Sequence, residues 1–189
     1  MKNNNFSTNT LVKLALMTAL SLVLLMLVRI PFPPAPFLVY DPADIPIYIT
    51  TFAFGPAAGL IVTFVVCIIQ AFALGGDGLY GFLMHFVATG AFAVIAGLIY
   101  QRNKTRKTAA VSVVTGVIIA TIVMIGMNLI VTPLYMGVPR EAVAAMIIPT
   151  ILPFNLLKAG INGALTFVLY KRISRFLHNE GRVEKKTVA

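Results

Sequence analysis

The sequence is poor in charge and in cysteine, and each shortage excludes a class of protein. Only 11% of its 189 residues are charged, whereas soluble domains carry about 25%, so we do not expect a soluble fold. Cys67 is the single cysteine and lies in an apolar run, so no disulfide forms within the chain and we interpret it as a small buried apolar residue. Metal-spaced His/Cys clusters and Walker or nucleophile-elbow motifs are also missing, which predicts no metal site and no catalytic residues.

Apolar residues make up 59% of the chain and come in long unbroken runs. Such runs are typical of membrane-spanning helices, so we predict an all-α integral membrane protein with six transmembrane helices. Residues 1–189 are expected to form one domain, with spans at 11–30, 45–54, 57–74, 79–100, 109–131 and 149–170.

Three features qualify this division. The span at 45–54 is too short to cross about 30 Å as a plain helix, so we expect it to start in the turn at 42–44 or to be broken and buried by its neighbours. Thr132-Pro133 is expected to end the fifth span, and the outer segment 132–148 to form a short interfacial helix. The first run is too long for the apolar part of a signal peptide, so we expect no cleavable signal.

The charges sort by membrane side, which argues against nucleic acid as a partner despite the net charge of +9. With the N-terminus in the cytoplasm, 12 of the 15 basic residues fall on the cytoplasmic side, as the positive-inside rule requires. These are Lys2, Lys13, Arg102, Lys104, Arg106, Lys107, Lys171, Arg172, Arg175, Arg182, Lys185 and Lys186. Four of the six acidic residues, Asp41, Asp44, Asp77 and Glu141, fall on the outer side. We therefore predict an even number of spans with both termini in the cytoplasm.

Lys158 is the most informative residue of the chain. It lies about eight residues, or ~12 Å of helix, into the last apolar segment. Asn155 and Asn162 are spaced from it so that all three share one helix face. Ionisable groups at membrane depth are costly and usually mark a ligand, an ion path or a partner. The alternative is a lysine that snorkels to the interface, but its depth and the opposing helix dipole disfavour that reading.

Polar residues of the late spans point to one cavity on the outer side. Asn128, Asn155 and Lys158 lie in the outer halves of their spans, as does His85. The loop at 31–44 is apolar and aromatic, with four prolines in its first six residues, so we expect it to be extended and to fold over the cavity. Apolar walls with a few polar groups are typical of a small-molecule site, and paired amides suit a heterocycle edge. The alternatives are a loop anchored in the aromatic belt and polar side chains that only bond across helices.

Three stretches resemble the riboflavin-binding S components of energy-coupling factor (ECF) transporters. They are Phe37-Leu-Val-Tyr-Asp-Pro-Ala-Asp-Ile-Pro46, Gly55-Pro56-x-x-Gly59 and Gly76-Asp77-Gly78-x-Tyr80-Gly81-x-x-Met84-His85. The first and third are specific to the riboflavin branch, and the resemblance covers essentially the whole chain. It implies an ECF S-component-like bundle of six helices in the bacterial cell membrane, which binds a vitamin from the outside and is not an enzyme.

The resemblance also implies partners. Such subunits dock on an energy-coupling module, made of a membrane scaffold subunit and two ATP-binding subunits, and topple in the lipid bilayer to deliver their ligand. Ala15 and Ala19 form a small-xxx-small pair, which alone is weak evidence for helix contact, and they match the motif that contacts the scaffold. Riboflavin is then the transported ligand, and no cofactor is implied.

The same resemblance places the first loop as a lid over the ligand. The dimethylbenzene side of the flavin is expected to pack on Phe37, Leu38, Val39, Tyr40 and Met84. Its burial would contribute most of the affinity. The pyrimidine edge is expected to pair with Asn128, Asn155 and Lys158. The ribityl hydroxyls need further partners, for which Asp77, Asn162 and backbone groups are candidates. Few cations would balance a phosphate, so FMN is expected to bind more weakly.

Other functions remain open from the residues alone. The site could take another vitamin, such as pantothenate or thiamine, although the aromatic loop and the paired amides favour a planar ring. A stand-alone secondary transporter would need internal repeats and coupling carboxylates at the midplane, and the six segments contain no acidic residue. An intramembrane enzyme would need two cooperating catalytic groups, and none is apparent in the sequence.

Overall fold

A computed structural model describes the backbone of residues 6–75 and 77–183, and the side chains of 6–75, 77–173 and 175. Lys2, Lys185 and Lys186, which we assign to the cytoplasmic side, lie outside the described residues, as does Gly76 of the third motif. The helices are α1 (Thr8–Leu27), α2 (Asp44–Phe54), α3 (Pro56–Ala73), α4 (Gly78–Arg102), α5 (Arg106–Met136), α6 (Arg140–Met146) and α7 (Leu152–Val183). A π-helical turn, Ile147–Ile151, joins α6 to α7.

Within the described residues, five stretches are long and apolar enough to cross a membrane: α1, α3, α4, α5 and the continuous run from α6 into α7. The sixth helix of the bundle is α2, which has 11 residues, or about 16 Å of rise. The prediction of an all-α membrane bundle with six main helices is therefore confirmed. The second span is short, as expected, and it begins one residue earlier than predicted because Asp44 opens the helix.

Neighbouring helices enclose α2 on all sides. Its residues from Asp44 to Ala53 are all buried, which satisfies the requirement that a short helix at membrane depth be covered by protein. Gly97 of α4 allows close approach, because a Cβ there would lie 2.9 Å from Cγ2 of Thr51. Tyr48 of α2 also contacts α4, where it stacks on Phe92 with ring centroids 3.5 Å apart. This packing holds the outer end of α2, with Asp44, in the middle of the bundle.

The first outer loop forms a β-hairpin, which the all-α prediction did not contain. Strand β1 (Ile30–Phe32) pairs antiparallel with β2 (Ala35–Tyr40). The extended backbone that prolines favour is thus used for strand pairing. The hairpin does not stand free in solvent, because Leu38 packs in one apolar cluster with Val143, Ile151 and Phe154. The loop is therefore closed over the outer ends of the helices.

The structure corrects the predicted ends of the fifth and sixth spans. Helix α5 passes through Pro133 and ends at Met136, five residues beyond the predicted end at 131. A proline removes one helical hydrogen bond, but the next turn is retained because Gly137 N–H donates to the Pro133 carbonyl at 2.9 Å. The predicted start of the sixth span at Pro149 lies inside the π-helical turn, and α7 begins at Leu152. The outer segment 132–148 is indeed largely helical.

Candidate functional site

A cavity of about 140 Å³, which is partly open to solvent, lies under the hairpin. The hairpin forms its apolar roof, together with Met84, Met124 and Phe154 from the helices. Its polar lining comes from nearly every element around it: Arg29, Asp41, Gln70, Asp77, His85, Asn128, Thr132, Tyr135, Asn155 and Lys158. Apolar walls with a few polar groups that converge on one space are typical of a small-molecule site.

Eight of the ten predicted ligand-binding residues meet in this cavity. They are Phe37, Leu38, Val39, Asp77, Met84, Asn128, Asn155 and Lys158. They come from the hairpin, the turn before α4, and the helices α4, α5 and α7, so residues up to 121 positions apart are brought together by the bundle. Tyr40 and Asn162 are not part of the lining.

Lys158 is buried, with 9% of its surface exposed, so it does not snorkel. Its Nζ donates to Oδ2 of Asp41 at 2.7 Å and lies 3.3 Å from Nε2 of His85. Asp41 itself is only 2% exposed. The cation at membrane depth is therefore neutralised by a carboxylate that directly follows the hairpin, while both side chains still line the cavity.

Asp41 is the functional residue that sequence reasoning missed. Burial alone would raise the pKa of its carboxyl group. The Lys158 ammonium, His85 and hydrogen bonds from Lys158 and Ala43 N–H outweigh burial and hold that pKa below its ordinary value. The distribution of charged residues in the sequence could have identified Asp41 as the partner of Lys158. A buried cation needs a counter-ion, the six segments contain no acidic residue, and Asp41 lies in the loop at 31–44 that was expected to close over the site.

Asn162 and Tyr40 fasten the hairpin instead of lining the cavity. The Tyr40 hydroxyl donates to Oδ1 of Asn162 at 3.1 Å. Asn162 Nδ2 donates to the Asp41 carbonyl at 3.0 Å and to Oδ2 of Asp44 at 3.3 Å. The Thr89 hydroxyl donates to the other oxygen of Asp44 at 3.0 Å. These bonds tie the end of β2 to α7, α2 and α4. The structure therefore places Asn162, which we expected near the ribityl chain, in this network and not in the cavity lining.

The side-chain amides of Asn128 and Asn155 form their hydrogen bonds with residues four positions away in the chain, and not across helices. Asn128 Nδ2 donates to the Met124 carbonyl at 2.8 Å, and its Oδ1 accepts from the Thr132 hydroxyl at 2.9 Å. Asn155 Nδ2 donates to the Ile151 carbonyl at 2.8 Å. Each NH2 group keeps a second hydrogen. Asn128 therefore still offers a donor, and Asn155 still offers a donor and an acceptor.

The outer rim of the cavity carries a second group of polar side chains. The Tyr135 hydroxyl donates to Oδ1 of Asp77 at 2.8 Å, which joins the ends of α5 and α4. Asp77 has a positive φ of 61° in the turn between α3 and α4. Arg29, after α1, donates to the Leu74 carbonyl at 3.3 Å. Gln70 of α3 completes this level of the lining.

Ala15 and Ala19, the predicted contact pair for the scaffold subunit, lie away from the cavity. Both are exposed on α1, while Leu14 and Met17 of the same helix are buried. The pair therefore presents a shallow, small-residue surface to the outside of the bundle.

Comparison with known proteins gives consistent matches over nearly the whole chain. A sequence model of the family described as "ECF transporter, substrate-specific component" matches residues 9–170. The Staphylococcus aureus protein named riboflavin transporter RibU is 33% identical over 93% of this chain and 96% of its own length. The Bacillus subtilis protein named riboflavin transporter FmnP is 25% identical over 90% of this chain and 94% of its own. A solved structure described as the S component of a bacterial ECF transporter is 30% identical, with a TM-score of 0.76 over 89% of this chain and 96% of that chain.

Proposed function

Because the chain belongs to the substrate-specific components of ECF transporters, we propose that it binds riboflavin and mediates its uptake together with an ATP-driven energy-coupling module. The observation that carries the proposal is the meeting of Asn128, Asn155 and Lys158 in one cavity under an apolar hairpin. The names of the relatives, riboflavin transporters in each case, support the same ligand.

The chemistry of the cavity matches the two sides of a flavin ring. The imide edge of the flavin presents two carbonyls that flank one N–H group. Lys158 and Asn128 supply donors for the carbonyls, and Asn155 supplies an acceptor for the N–H. The dimethylbenzene side then packs on Phe37, Leu38, Val39 and Met84. Each Å² of apolar area removed from water there contributes about 25 cal/mol. Tyr40 acts on the ligand only through the position of the hairpin.

The charges of the cavity favour riboflavin over its phosphate. Asp41 already neutralises Lys158 at 2.7 Å. Arg29 is the other cation of the described lining, and Asp77 lies on the same rim. A phosphate would therefore meet little uncompensated positive charge, so FMN binds more weakly than riboflavin under this proposal.

The partners follow from the family and from the surface of α1. We propose that the scaffold subunit of the module packs on the exposed Ala15 and Ala19, because small residues let two helices approach closely in a membrane. The two ATP-binding subunits supply the energy, so this chain is a transport subunit and not an enzyme, with no cofactor of its own. Its place is the bacterial cell membrane, with both termini in the cytoplasm.

The first test is the ligand itself. The chain is purified in detergent without added flavin and denatured, and the absorbance and fluorescence of the supernatant are recorded. We expect a flavin spectrum near one equivalent per chain. If the protein is colourless and also fails to quench added riboflavin fluorescence, the proposal is refuted.

The same assay tests the site. Lys158→Ala and Asn128→Ala are expected to weaken riboflavin binding by about 10-fold or more, because each removes a buried donor to a ring carbonyl. Lys104→Ala and Asn9→Ala are matched controls at exposed positions and are expected to bind as the parent does. Equal loss in the controls would mean that the fold, and not the site, had been tested.

A further inference from the structure

Gln70 carries a buried hydrogen-bond acceptor that the protein leaves unused. Its Oε1 is buried and accepts no hydrogen bond from the described part of the chain. The same residue lines the outer cavity. Buried polar atoms in native proteins are nearly always paired, and an unpaired one calls for an explanation such as a missing water or ligand.

The neighbours of Gln70 do not supply the missing donor. Arg29 shares this part of the lining, but its Nη1 donates to the Leu74 carbonyl. The Tyr135 hydroxyl donates to Asp77. The described hydrogen bonds of these two lining residues thus go to other groups, and Oε1 of Gln70 is left without a donor from the described residues.

Gln70 lies at a different depth from the groups proposed to read the ring. It is three residues from the end of α3 at Ala73, or ~5 Å of rise. Asn128 is eight residues from the outer end of α5 at Met136, or ~12 Å. The amides and Lys158 therefore serve the inner part of the cavity, and Gln70 serves the outer part, at the level of Asp77 and Tyr135.

We propose that Gln70 is a specificity-determining residue that binds a hydroxyl of the ligand's polyol chain. The inference rests on the proposed function, since it assigns the part of a flavin that Gln70 meets. A hydroxyl both donates and accepts, and a side-chain amide does the same. Oε1 accepts a hydrogen bond from one hydroxyl group, and the NH2 group can donate a hydrogen bond to the oxygen of the next hydroxyl group. The amide is neutral, as is the polyol, so the contact needs no counter-ion.

The test compares riboflavin with lumiflavin, which has the same ring system and a methyl group in place of the ribityl chain. Gln70→Met has nearly the same shape as glutamine but no amide. It is expected to weaken riboflavin binding about 3- to 10-fold, the effect of one lost neutral hydrogen bond, and to leave lumiflavin binding unchanged. Lumiflavin is measured by competition against riboflavin fluorescence quenching, so a weak constant is still obtained.

Two controls separate the outcomes. Gln101→Met replaces an exposed glutamine at the opposite end of α4 and is expected to change neither constant. Asn128→Ala removes a proposed ring contact and is expected to weaken both ligands.

The inference is overturned if Gln70→Met weakens both flavins equally, which would make Gln70 a structural residue. It is also overturned if neither constant changes, which would place the hydroxyls elsewhere. Failure of the parent protein to bind any flavin would instead refute the proposed function.

Discussion

Replacing Asp41 by Asn should destabilise the protein strongly, and replacing Lys158 as well should restore much of the loss. Asparagine keeps an oxygen for the Ala43 N–H, which the Asp41 carboxylate accepts at 3.1 Å. It also places an uncharged group, in part a donor, 2.7 Å from the Lys158 ammonium. The substitution thus removes the negative charge of the pair and keeps the hydrogen bond from Ala43 N–H to residue 41.

The expected size follows from the burial of both partners. Their side chains are 11% and 3% exposed for Lys158 and Asp41, so water screens the pair little. Removing one member of a buried pair costs roughly 3–5 kcal/mol, because the remaining charge has no partner. Replacing both members by uncharged groups of similar size is often close to neutral. Asp41→Asn should therefore lower the free energy of unfolding by ~3 kcal/mol or more, and Asp41→Asn with Lys158→Met by clearly less.

The chain carries its own reporter for this experiment. Cys67 is the single cysteine and is 2% exposed, so reaction with a thiol-specific dye reports unfolding. The free energy of unfolding is measured without ligand, in mixed micelles with increasing SDS, for the parent, both single variants and the double variant. If the two single losses simply add in the double variant, the pair is not coupled and the reasoning is refuted.

The remaining predictions concern the hairpin, the pH and the partner surface. Asn162→Leu removes three hydrogen bonds that hold the hairpin, so riboflavin affinity should fall and amide hydrogen exchange over 30–44 should rise, although Asn162 does not line the cavity; unchanged exchange would contradict this role. The pKa of Asp41 is lowered in the folded protein. The contribution of its carboxylate to stability is therefore fully present above the ordinary carboxyl pKa of about 3.9, and it is lost only as the pH falls through the lowered value. Flavin affinity should therefore show no titration step from Asp41 between pH 5 and 8, and a step near pH 6 that Asp41→Asn abolishes would be incompatible with the pair. Ala15→Leu with Ala19→Leu should leave riboflavin binding intact and abolish ATP-dependent uptake in vesicles that contain the whole complex; normal uptake would exclude this face as the docking surface.

Local patterns predicted the parts of the site that lie within single helices. The spacing of Asn155 and Lys158 placed both on one face of a helix, and both line the cavity. Asn162 shares that face but lies one turn deeper, where Tyr40 and Asp44 meet it. The helical period predicts the direction in which a side chain points. It does not predict which other elements contact that side chain at each depth, so the hydrogen-bond partners of Asn162 could not be predicted from spacing.

Two features of the fold, the hairpin and the late end of α5, were not predicted from the sequence. The strand pairing of Ile30 with Tyr40 arises in a segment whose prolines indicated only extended backbone. Helix α5 continues past Pro133 because the following turn closes on Gly137, whose φ is 65°. The hairpin in addition packs on Val143 of α6 and on Phe154 of α7, and such tertiary contacts override local propensity.

Asp41 directly follows the hairpin and belongs to no helix, so the hairpin over the cavity positions the counter-ion of a lysine that lies in a helix. The Nζ atom of Lys158 in α7 is 2.7 Å from Oδ2 of Asp41, and both residues are buried. A buried cation that loses its partner is costly unless water or another charge replaces that partner. If the hairpin moved away together with Asp41, the ammonium would therefore need water or a negative charge in its place. A neutral ring edge brings no negative charge, so we expect a neutral ligand to bind most tightly while Asp41 stays in contact with Lys158.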